Sequence, residues 1–403
     1  MLFLLDAHNV VEYLVQTGVC NTTELTTSQT HLKDSKNFNL QVDLSDGYSL
    51  LVKQERCKRD GKPKGEFLHE LVLHQLFQYF PDLSAVRSLV PEVIHFDLSN
   101  SILVIPYFNH YLDLDQFYKQ NQHFPAEIAA AVAVALATVH RATLDRQDYR
   151  EFLLQHSQSA SVQPITDLTE RWNRLEPESF GRMSQDAIKF FTLYQRYASL
   201  GQAMSAVQHS FTPCCLTHND LKLDNLLLHL EYSQDLPETE FSYLPLSEPP
   251  MIQEPVIRLI DWEKWTWGDP AFDLGTLLAS YLRIWLNSIP INTIMDMDTA
   301  LQLAVYPLEQ LQPSLVALTQ VYFRSFPEIL QRAPGFLTRT MQFTGLALIQ
   351  RIETNLQYLL PFDNAKICLL QVAKTLLCRP EQSIGIVFGT TPSDLTQLSS
   401  LPA

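Results

Sequence analysis

Two polar motifs embedded in apolar runs constrain the fold of this chain more than any other part of its sequence. They read LTHNDLKLDNLLL at residues 216–228 and IRLIDWEKWTWG at residues 257–268. The runs Leu226–Leu228 and Val256–Ile260 are short and apolar, which predicts buried strands. The polar residues of both motifs therefore lie on loops at the ends of predicted strands.

The first 106 residues alternate between strand and helix patterns. The Asp46-Gly47 dipeptide stands between two β-prone runs, which is a strong signal for a hairpin turn. The predicted elements are the helices Asn9–Thr17 and Glu66–Phe80, and the hairpins Phe38–Val42 with Ser49–Gln54 and Val93–Phe96 with Ile102–Ile105. We therefore expect a small α+β lobe at residues 1–106.

From residue 107 to 403 the pattern is mainly helical, and it predicts a second, larger lobe. The Ala-rich run Pro125–His140 begins with a proline, which favours the first turn of a helix. Between the two motifs lies Glu231–Pro255, an acidic stretch with five prolines, which we interpret as an exposed, partly disordered insertion. The tail Thr390–Ala403 is expected to fray.

Composition excludes several classes of protein. Hydrophobic residues make up 46% of the chain, so general disorder is excluded. With 29 Lys and Arg against 44 Asp and Glu, the net charge of −15 argues against a nucleic-acid or anionic-membrane partner. The six cysteines show no CxxC spacing, which is typical of reduced thiols in a cytoplasmic protein. The apolar stretch Leu274–Leu286 contains Arg283 and is too short to cross a membrane.

The two motifs contain the residue types that phosphoryl transfer from ATP requires. His218, Asp220 and Asn225 form the pattern H-x-D-x₄-N, and Asp261 follows at a strand end. One carboxylate orients and deprotonates the attacking hydroxyl, and a second carboxylate with an amide oxygen holds Mg²⁺ against the phosphates. Asp220, Asp261 and Asn225 fit these roles in that order.

Both motifs resemble those of the aminoglycoside phosphotransferase and choline kinase-like family, a branch of the protein-kinase-like fold. HNDLKLDNLLL is similar to the catalytic loop of the family, and LIDWEKWTWGDPAFDLGTLLASYL is similar to its metal-binding segment and the helix that follows. The resemblance implies an α+β, bilobal, protein-kinase-like fold with a small antiparallel sheet in the first lobe and a mainly helical second lobe. It also implies that the protein is a kinase that uses ATP and Mg²⁺.

Matched residue by residue, the resemblance implies roles in the second lobe. Asp220 is the catalytic base, and Asn225 and Asp261 are Mg²⁺ ligands. Glu263 stands two residues past Asp261 and acts through a metal-bound water, or it is a solvated charge at a strand end. Lys222 neutralises the transferring phosphate, or it is a solvent-facing lysine of the loop.

Two further residues of this lobe are expected to support the catalytic loop. The resemblance implies that His218 and Asp273 brace the loop and do not touch ATP. The three tryptophans Trp262, Trp265 and Trp267 stack on a substrate or fill the core.

In the first lobe, Lys53 lies inside the apolar run YSLLVKQE, where a lysine is unfavourable unless its charge is paired. The resemblance implies that it meets the α- and β-phosphates of ATP. Its partner is expected to be a glutamate of the next helix. Glu70 fits the family spacing E-x-x-L-x-x-L, and Glu66, one turn earlier, is the alternative.

The loop over the phosphates contains no G-x-G-x-x-G pattern, because no such pattern exists in the chain. Instead, DSKNFNLQV at 34–42 is similar to the turn of small-molecule kinases, and Ser35 and Asn37 can donate to phosphate or simply form a hairpin turn. The run Ile102–Phe108 matches the connector that binds adenine by position, so backbone groups near Ile105 and Tyr107 are expected to read the base.

The resulting hypothesis is a Mg-ATP-dependent kinase that phosphorylates a hydroxyl of a small molecule of aminoglycoside, choline or sugar-like type. Its acceptor is expected between the catalytic loop and helices at about 160–200 and 280–360. A protein kinase of the same fold is the alternative, although DWE replaces D-F-G and no A-P-E segment is present. A catalytically silent nucleotide-binding scaffold is a third reading. The sequence leaves the acceptor, the choice of ATP or GTP and the oligomeric state open.

Overall fold

A computed structural model describes most of the chain. The described residues are 3–21, 29–33, 37–45, 47–57, 63–157, 183–234, 254–291 and 295–397. The chain forms two compact units. Unit 1 comprises Met1–Phe117, Gln147–Ala160 and Asp224–Trp265, and unit 2 comprises Tyr118–Arg146, Ser161–Leu223 and Thr266–Ala403.

A five-stranded antiparallel sheet forms the core of unit 1. Its strands are β1 (Gln29–Lys33), β2 (Phe38–Asp43), β3 (Ser49–Gln54), β4 (His95–Asp97) and β5 (Ile102–Pro106), and their order is β1-β2-β3-β5-β4. Both hairpins predicted from the sequence are confirmed, β2 with β3 and β4 with β5. Gly47 has a φ of +83°, a left-handed conformation that glycine adopts without strain, and this explains the turn between β2 and β3.

Five short strands complete the pairing in the described residues. They are β6 (Tyr111–Asp113), β7 (Cys215–Thr217), β8 (Leu226–His229), β9 (Ile257–Leu259) and β10 (Thr266–Gly268). In unit 1 the order is β6-β8-β9, and in unit 2 β10 pairs with β7. β8 and β9 are the two strands that the apolar runs of the motifs predicted.

The helices are numbered in chain order. They are α1 (Val10–Gln16), α2 (Glu66–Tyr79), α3 (Ser84–Ser88), α4 (Leu114–Asn121), α5 (Ala126–Thr143), α6 (Gln147–His156), α7 (Gln185–Gln195), α8 (Ala198–Ser210), α9 (Leu230–Gln234), α10 (Pro270–Ser288), α11 (Met297–Gln302), α12 (Leu308–Ser325), α13 (Glu328–Arg332), α14 (Phe336–Gln357), α15 (Asn364–Cys378), α16 (Pro380–Phe388) and α17 (Pro392–Thr396). The predicted helices around residues 10–16, 66–79 and 126–140 are confirmed.

Alternation of side chains along β3 divides the core of unit 1 between the two faces of its sheet. Leu50 and Val52 point to one face, where they pack with α1 residues such as Leu14. The opposite face carries the cluster of Phe67 from α2 with Leu103 of β5. Because side chains alternate along a strand, residue 53 of β3 belongs to this second face, next to α2.

Unit 2 is built from helices that pack in pairs, α5 with α12, α10 with α14, and α14 with α15. By length and composition, α5 is the one described helix that is apolar enough to cross a membrane, and more than half of it is buried inside the protein. Its buried residues, among them Val132 and Leu136, lie in the helical core.

Three expectations differ in part from the structure. The tail does not fray up to residue 397, because Thr391 caps α17 through a reciprocal hydrogen-bonded box with Asp394. Within the insertion Glu231–Pro255, residues 231–234 belong to α9, and residues 235–253 lie outside the described residues. The two-lobe division at residue 106 stays a prediction, and the compact units differ from it because the chain returns to unit 1 at Gln147 and at Asp224.

The crossing of α10 and α14 gives a testable prediction. A Cβ atom at Gly275 would lie 2.7 Å from Phe343 Cβ and 2.9 Å from the Thr340 carbonyl oxygen. We expect Gly275→Ala to lower the free energy of unfolding by about 1–3 kcal/mol, because the two helices have to separate. Chemical denaturation with circular dichroism measures the change.

The matched control is Gly201→Ala in α8, where a Cβ would meet no atom within 4 Å. Its better helix propensity should leave stability unchanged or raise it by up to about 1 kcal/mol. Equal stability of the two variants would show that the α10–α14 contact is looser than described.

Candidate functional site

The first half of the candidate site is centred on Lys53, which lies in unit 1 on the sheet face that packs against α2. Its Nζ donates to Asp261 Oδ1 at 2.8 Å. The Lys53 side chain is only 7% exposed, whereas that of Asp261 is 35% exposed. The pair therefore joins a buried cation to a carboxylate that solvent still reaches.

Three carboxylates act on this lysine. Burial lowers the pKa of Lys53, but the charges of Asp261, Glu70 and Glu263 and the hydrogen bond to Asp261 outweigh it, and the pKa is raised above its ordinary value. Lys53 is therefore charged at neutral pH. One cation among three carboxylates leaves excess negative charge, which a further cation would neutralise.

The two glutamates proposed as partners of Lys53 have different surroundings. Glu70 is 2% exposed, and its charge contributes to the raised pKa of Lys53. Its Oε2 atom is buried and has no hydrogen-bond partner. The backbone N–H of Glu66, at the start of the same helix, donates to Glu55 Oε1 at 3.0 Å. The direct hydrogen bond of Lys53 is to Asp261, and the choice of Glu70 over Glu66 as its helix partner stays a prediction.

Backbone geometry fixes the position of Asp261 after β9. Its φ is +68°, in the left-handed region that costs most L-residues about 1–2 kcal/mol and that Asp and Asn tolerate best. The Ile260 N–H donates to the Asn225 carbonyl at 3.0 Å, and Leu226 pairs with Leu259 in the β8–β9 ladder. The ladder thus places Asn225 opposite the residue that precedes Asp261.

A reciprocal contact fixes α2 to the segment that follows Asp261. The rings of His69 and Trp265 stack at 4.1 Å with an angle of 3°. Trp265 Nε1 donates to the His69 carbonyl at 2.7 Å, and His69 Nε2 lies 2.9 Å from the Trp265 carbonyl. A carbonyl only accepts, so Nε2 carries the proton, and Nδ1 accepts from the Ser157 hydroxyl. His69 precedes Glu70, so this clamp ties the glutamate-bearing helix to the acidic segment.

The second half of the candidate site is the loop 218–222 in unit 2. Asp273 of α10 is fully buried and accepts the backbone N–H groups of His218 at 2.6 Å and Asn219 at 2.9 Å. Its Oδ2 also lies 3.2 Å from His140 Nε2, and His140 Nδ1 lies 2.9 Å from the Tyr322 hydroxyl. Burial raises the pKa of Tyr322, so this hydroxyl stays protonated and pairs with His140 Nδ1 as a neutral group. The loop backbone is therefore anchored to α10 at its start.

Asn219 and His218 shape the turn that presents Asp220. Asn219 has a φ of +61°, and its side-chain amide donates to Thr266 Oγ1 at 2.6 Å. The N–H of Asp220 donates to His218 Nδ1 at 3.3 Å. The carboxylate of Asp220 lies 3.6 Å from Lys222 Nζ, so the two residues expected to act on the acceptor form an ion pair.

The donor set in unit 1 fits Mg²⁺ bound together with phosphates. Within the described ranges, no three His, Cys, Asp or Glu side chains converge to hold a metal by themselves. Mg²⁺ does not require such a cage, because it keeps several waters and takes one or two carboxylates plus substrate phosphates. The carboxylate of Asp261, the amide of Asn225 and the excess negative charge around Lys53 match that demand.

The remaining residues predicted to bind nucleotide are less defined. Ser35 lies outside the described residues, and Asn37 is buried just before β2. Ile105 is buried in β5, where it pairs with Leu51. The Tyr107 N–H donates to the Ser49 carbonyl at 2.8 Å, so this N–H is already used within the protein.

Comparison with solved structures places the fold. The chain is similar to an ethanolamine kinase from Plasmodium vivax, with 12% identity, a TM-score of 0.53 and coverage of 92% of this chain and 86% of that chain. It is also similar to the wild-type aminoglycoside 2′-phosphotransferase-IIIa in its GDP complex, with 14% identity, a TM-score of 0.50 and coverage of 93% and 98%. No family model and no curated protein matches the sequence.

The chain has a kinase-like fold. The predicted fold class, with a small antiparallel sheet in the N-terminal part and helices in the C-terminal part, is thereby confirmed. Because the sequence identities are only 12–14%, the similarity shows the fold alone. The roles of individual residues in this kinase fold stay predictions.

Sequence reasoning missed several contacts of this kinase fold. It treated Trp265 as a stacking or core residue, but it could not find the clamp, because His69 is 196 residues away in the chain. It assigned no role to Asn219, although Asn between two motif residues is a signal for left-handed backbone. Trp262 is fully buried and donates to the Leu259 carbonyl, so it is a core residue and does not stack on a ligand.

The clamp gives a second prediction. Trp265→Phe keeps a ring against His69 but removes the donor to the His69 carbonyl. We expect the free energy of unfolding to fall by about 1–3 kcal/mol, because a carbonyl loses its partner. The control Trp267→Phe makes the same change in β10, where no hydrogen bond of the indole is described. An equal effect in both variants would show that ring size, not the hydrogen bond, matters.

Proposed function

We propose that this protein is a Mg²⁺-ATP-dependent phosphotransferase that moves the γ-phosphate to a hydroxyl group of a small molecule. The observation that carries the proposal is the charged, buried Lys53 within a group of three carboxylates, Asp261, Glu70 and Glu263. A charged lysine is rarely buried without a function, and perturbed groups of this kind cluster at functional sites.

Lys53 has two carboxylates between which it can divide its hydrogen bonds. It donates to Asp261 in this structure, while Glu70 keeps a buried oxygen without a partner. When the phosphates of ATP approach, Lys53 would donate to them and to Glu70, which releases Asp261 for a metal ion. The clamp of His69 and Trp265 would hold Glu70 in place during this exchange.

Asn225 and Asp261 would hold Mg²⁺, with Glu263 as a ligand through water. Bound there, the ion would supply positive charge against the negative charge that develops on the phosphates. Asp261 is the more exposed member of its pair with Lys53, so its carboxylate can be reached from solvent.

Asp220 would act as the base. The acceptor oxygen bonds to the γ-phosphorus, the bond between that phosphorus and the bridging oxygen of ADP breaks, and the hydroxyl proton passes to Asp220. Lys222, 3.6 Å from Asp220, would stabilise the negative charge of the transferring group. Asp273 and His218 keep the loop in shape and do not contact the substrates.

The structural neighbours support the small-molecule class of acceptor. One is an ethanolamine kinase, and one solved structure is an aminoglycoside phosphotransferase in a complex with GDP and kanamycin. The net charge of −15 is consistent with a soluble, cytoplasmic enzyme without a nucleic-acid or membrane partner. The helices at about 280–360 would supply the acceptor site.

The first functional prediction concerns transfer itself. With γ-labelled ATP, Mg²⁺ and a fractionated extract of metabolites and proteins, the wild type should label a small molecule. Asp220→Asn should lower the rate by a factor of about 10² or more, because proton transfer loses its base. The matched control is Asp224→Asn, an exposed carboxylate of the same loop, which should keep the wild-type rate.

Other outcomes of the transfer experiment separate the alternatives. Asp220-dependent label in protein bands would replace this proposal with a protein kinase of the same fold. Nucleotide binding without any Asp220-dependent label would favour a catalytically silent scaffold.

The second functional prediction concerns the metal. Asp261→Asn should weaken ATP binding in Mg²⁺ at least tenfold and change binding in EDTA far less, as measured by isothermal titration calorimetry. Asp220→Asn should keep the wild-type Mg²⁺ dependence. A thermal melt checks that Asp261→Asn is folded, since it alters the partner of a buried lysine. Unchanged Mg²⁺-dependent binding in a folded Asp261→Asn would contradict the metal assignment.

A further inference from the structure

A cavity of about 790 Å³ lies among the helices of unit 2. It is bounded by the C-terminal half of α10, by α11, by the start of α12, and by α15 and α16. Its volume falls in the range of small-molecule sites, about 300–1,000 Å³. The second cavity found in the described residues, beside α2, is far too small for such a ligand.

The wall of this cavity is apolar even where its residues carry hydroxyl groups. Trp285, Leu286 and Ala300 are among its lining residues. The hydroxyl of Thr375 donates to the Gln371 carbonyl. The hydroxyl of Ser383 likewise donates to the carbonyl of Arg379, the residue before α16, so the backbone already occupies both donors.

Exposed apolar side chains stand at the mouth of the cavity. Met297, Leu301 and Ile386 line it, and each is more than a third exposed to solvent. A cluster of large, exposed apolar side chains often marks a binding site. The flexible side chain of methionine adapts its shape to a ligand. A void left only by imperfect packing would have a closed rim.

The charges of the wall limit what can bind. Glu309 is its one ionisable carboxylate or amine group, and no Lys or Arg lines the cavity in the described part of the chain. The amide nitrogen of Gln371 donates to the Tyr197 hydroxyl, so its oxygen is the group left to meet a ligand. The described wall therefore carries one negative charge and no cationic side chain, so a carboxylate or phosphate would be desolvated there without a positive partner.

This cavity differs from the candidate site described above. None of its lining residues belongs to the loop 216–228. Asp273, which anchors that loop, and Trp285, which lines the cavity, are twelve positions apart on α10, or about 18 Å along the helix axis. A ligand in the cavity is therefore a second ligand, separate from the hydroxyl that Asp220 would activate.

We propose that this cavity binds an apolar small molecule whose polar end carries no negative charge. The apolar body would fill the space between α10 and α15, and its hydroxyl or amine end would meet Gln371 Oε1 or Glu309. The proposal does not depend on kinase activity, because it concerns binding to the free protein.

The test compares three probes with the same ten-carbon chain, 1-decanol, decylamine and decanoate. Decanol is used below its solubility limit, and the two ionic probes below their micelle concentrations. Isothermal titration calorimetry on the full chain without nucleotide should show binding of decanol and of decylamine, which is protonated at neutral pH. Decanoate should bind at least tenfold more weakly than either. Equal affinity for all three, or no binding of decanol and decylamine, would overturn the proposal.

Variants tie the binding to this cavity. Ala300→Phe places a ring inside it and should weaken decanol binding at least tenfold. The control Gln302→Phe adds the same ring to the exposed side of α11 and should bind decanol as the wild type does. If Ala300→Phe does not fold, Leu301→Ser, at a position more than a third exposed, should weaken decanol binding severalfold.

The charge preference has its own variant. Glu309→Gln should narrow the difference in affinity between decylamine and decanoate about threefold. An exposed charge produces an effect of this size. Wild-type decanol affinity in both Ala300→Phe and Leu301→Ser would place the probe elsewhere and overturn the assignment.

Discussion

The buried positive charge of Lys53 is the constraint to which much of unit 1 responds. A lysine on the inner face of a sheet loses its hydration, and only nearby negative charge makes that position tolerable. Asp261 supplies it directly, and Glu70 and Glu263 supply it through their fields. A site of mixed charge is thus part of how the unit is held together.

The loop that carries Asp220 is held in place by hydrogen bonds and not by a buried lysine. Asp273 accepts hydrogen bonds from two backbone N–H groups and pairs with the imidazole of His140, and no lysine or arginine is described beside it. A fully buried carboxylate that accepts several hydrogen bonds replaces its lost hydration with fixed donors, which fixes the geometry of the donors in return. The loop that carries Asp220 is therefore shaped by hydrogen bonds, while the environment of Asp261 is shaped by charge.

Much of this arrangement could be predicted from the sequence, and the limits have physical causes. The hairpin at Gly47 and the helix at Glu66–Tyr79 were predictable because turn chemistry and apolar spacing are local signals. The three-residue strands β6, β7 and β10 were not, since so short a run has no period of its own and pairs only because a distant segment lies beside it.

In the candidate site, too, local features could be predicted from the sequence, and contacts between distant residues could not. Lys53 stood out because a lysine in an apolar strand conflicts with its surroundings, and the motif spacing singled out Asp220 and Asp261. That Lys53 would hydrogen-bond to Asp261 and leave Glu70 with an unpaired oxygen depends on distances that no spacing encodes. The apolar cavity of unit 2 was invisible for a related reason, because its walls come from helices up to about a hundred residues apart.

The left-handed backbone at Asn219 and Asp261 limits how these two loops can change over evolutionary time. Glycine would suit the backbone at either position, but it would remove an oxygen that the fold uses. Serine or threonine would keep an oxygen and strain the backbone. Asp and Asn alone satisfy both demands, and they differ by one charge. At these two positions the protein can vary charge and little else, so a change of function there would come as an exchange between acid and amide.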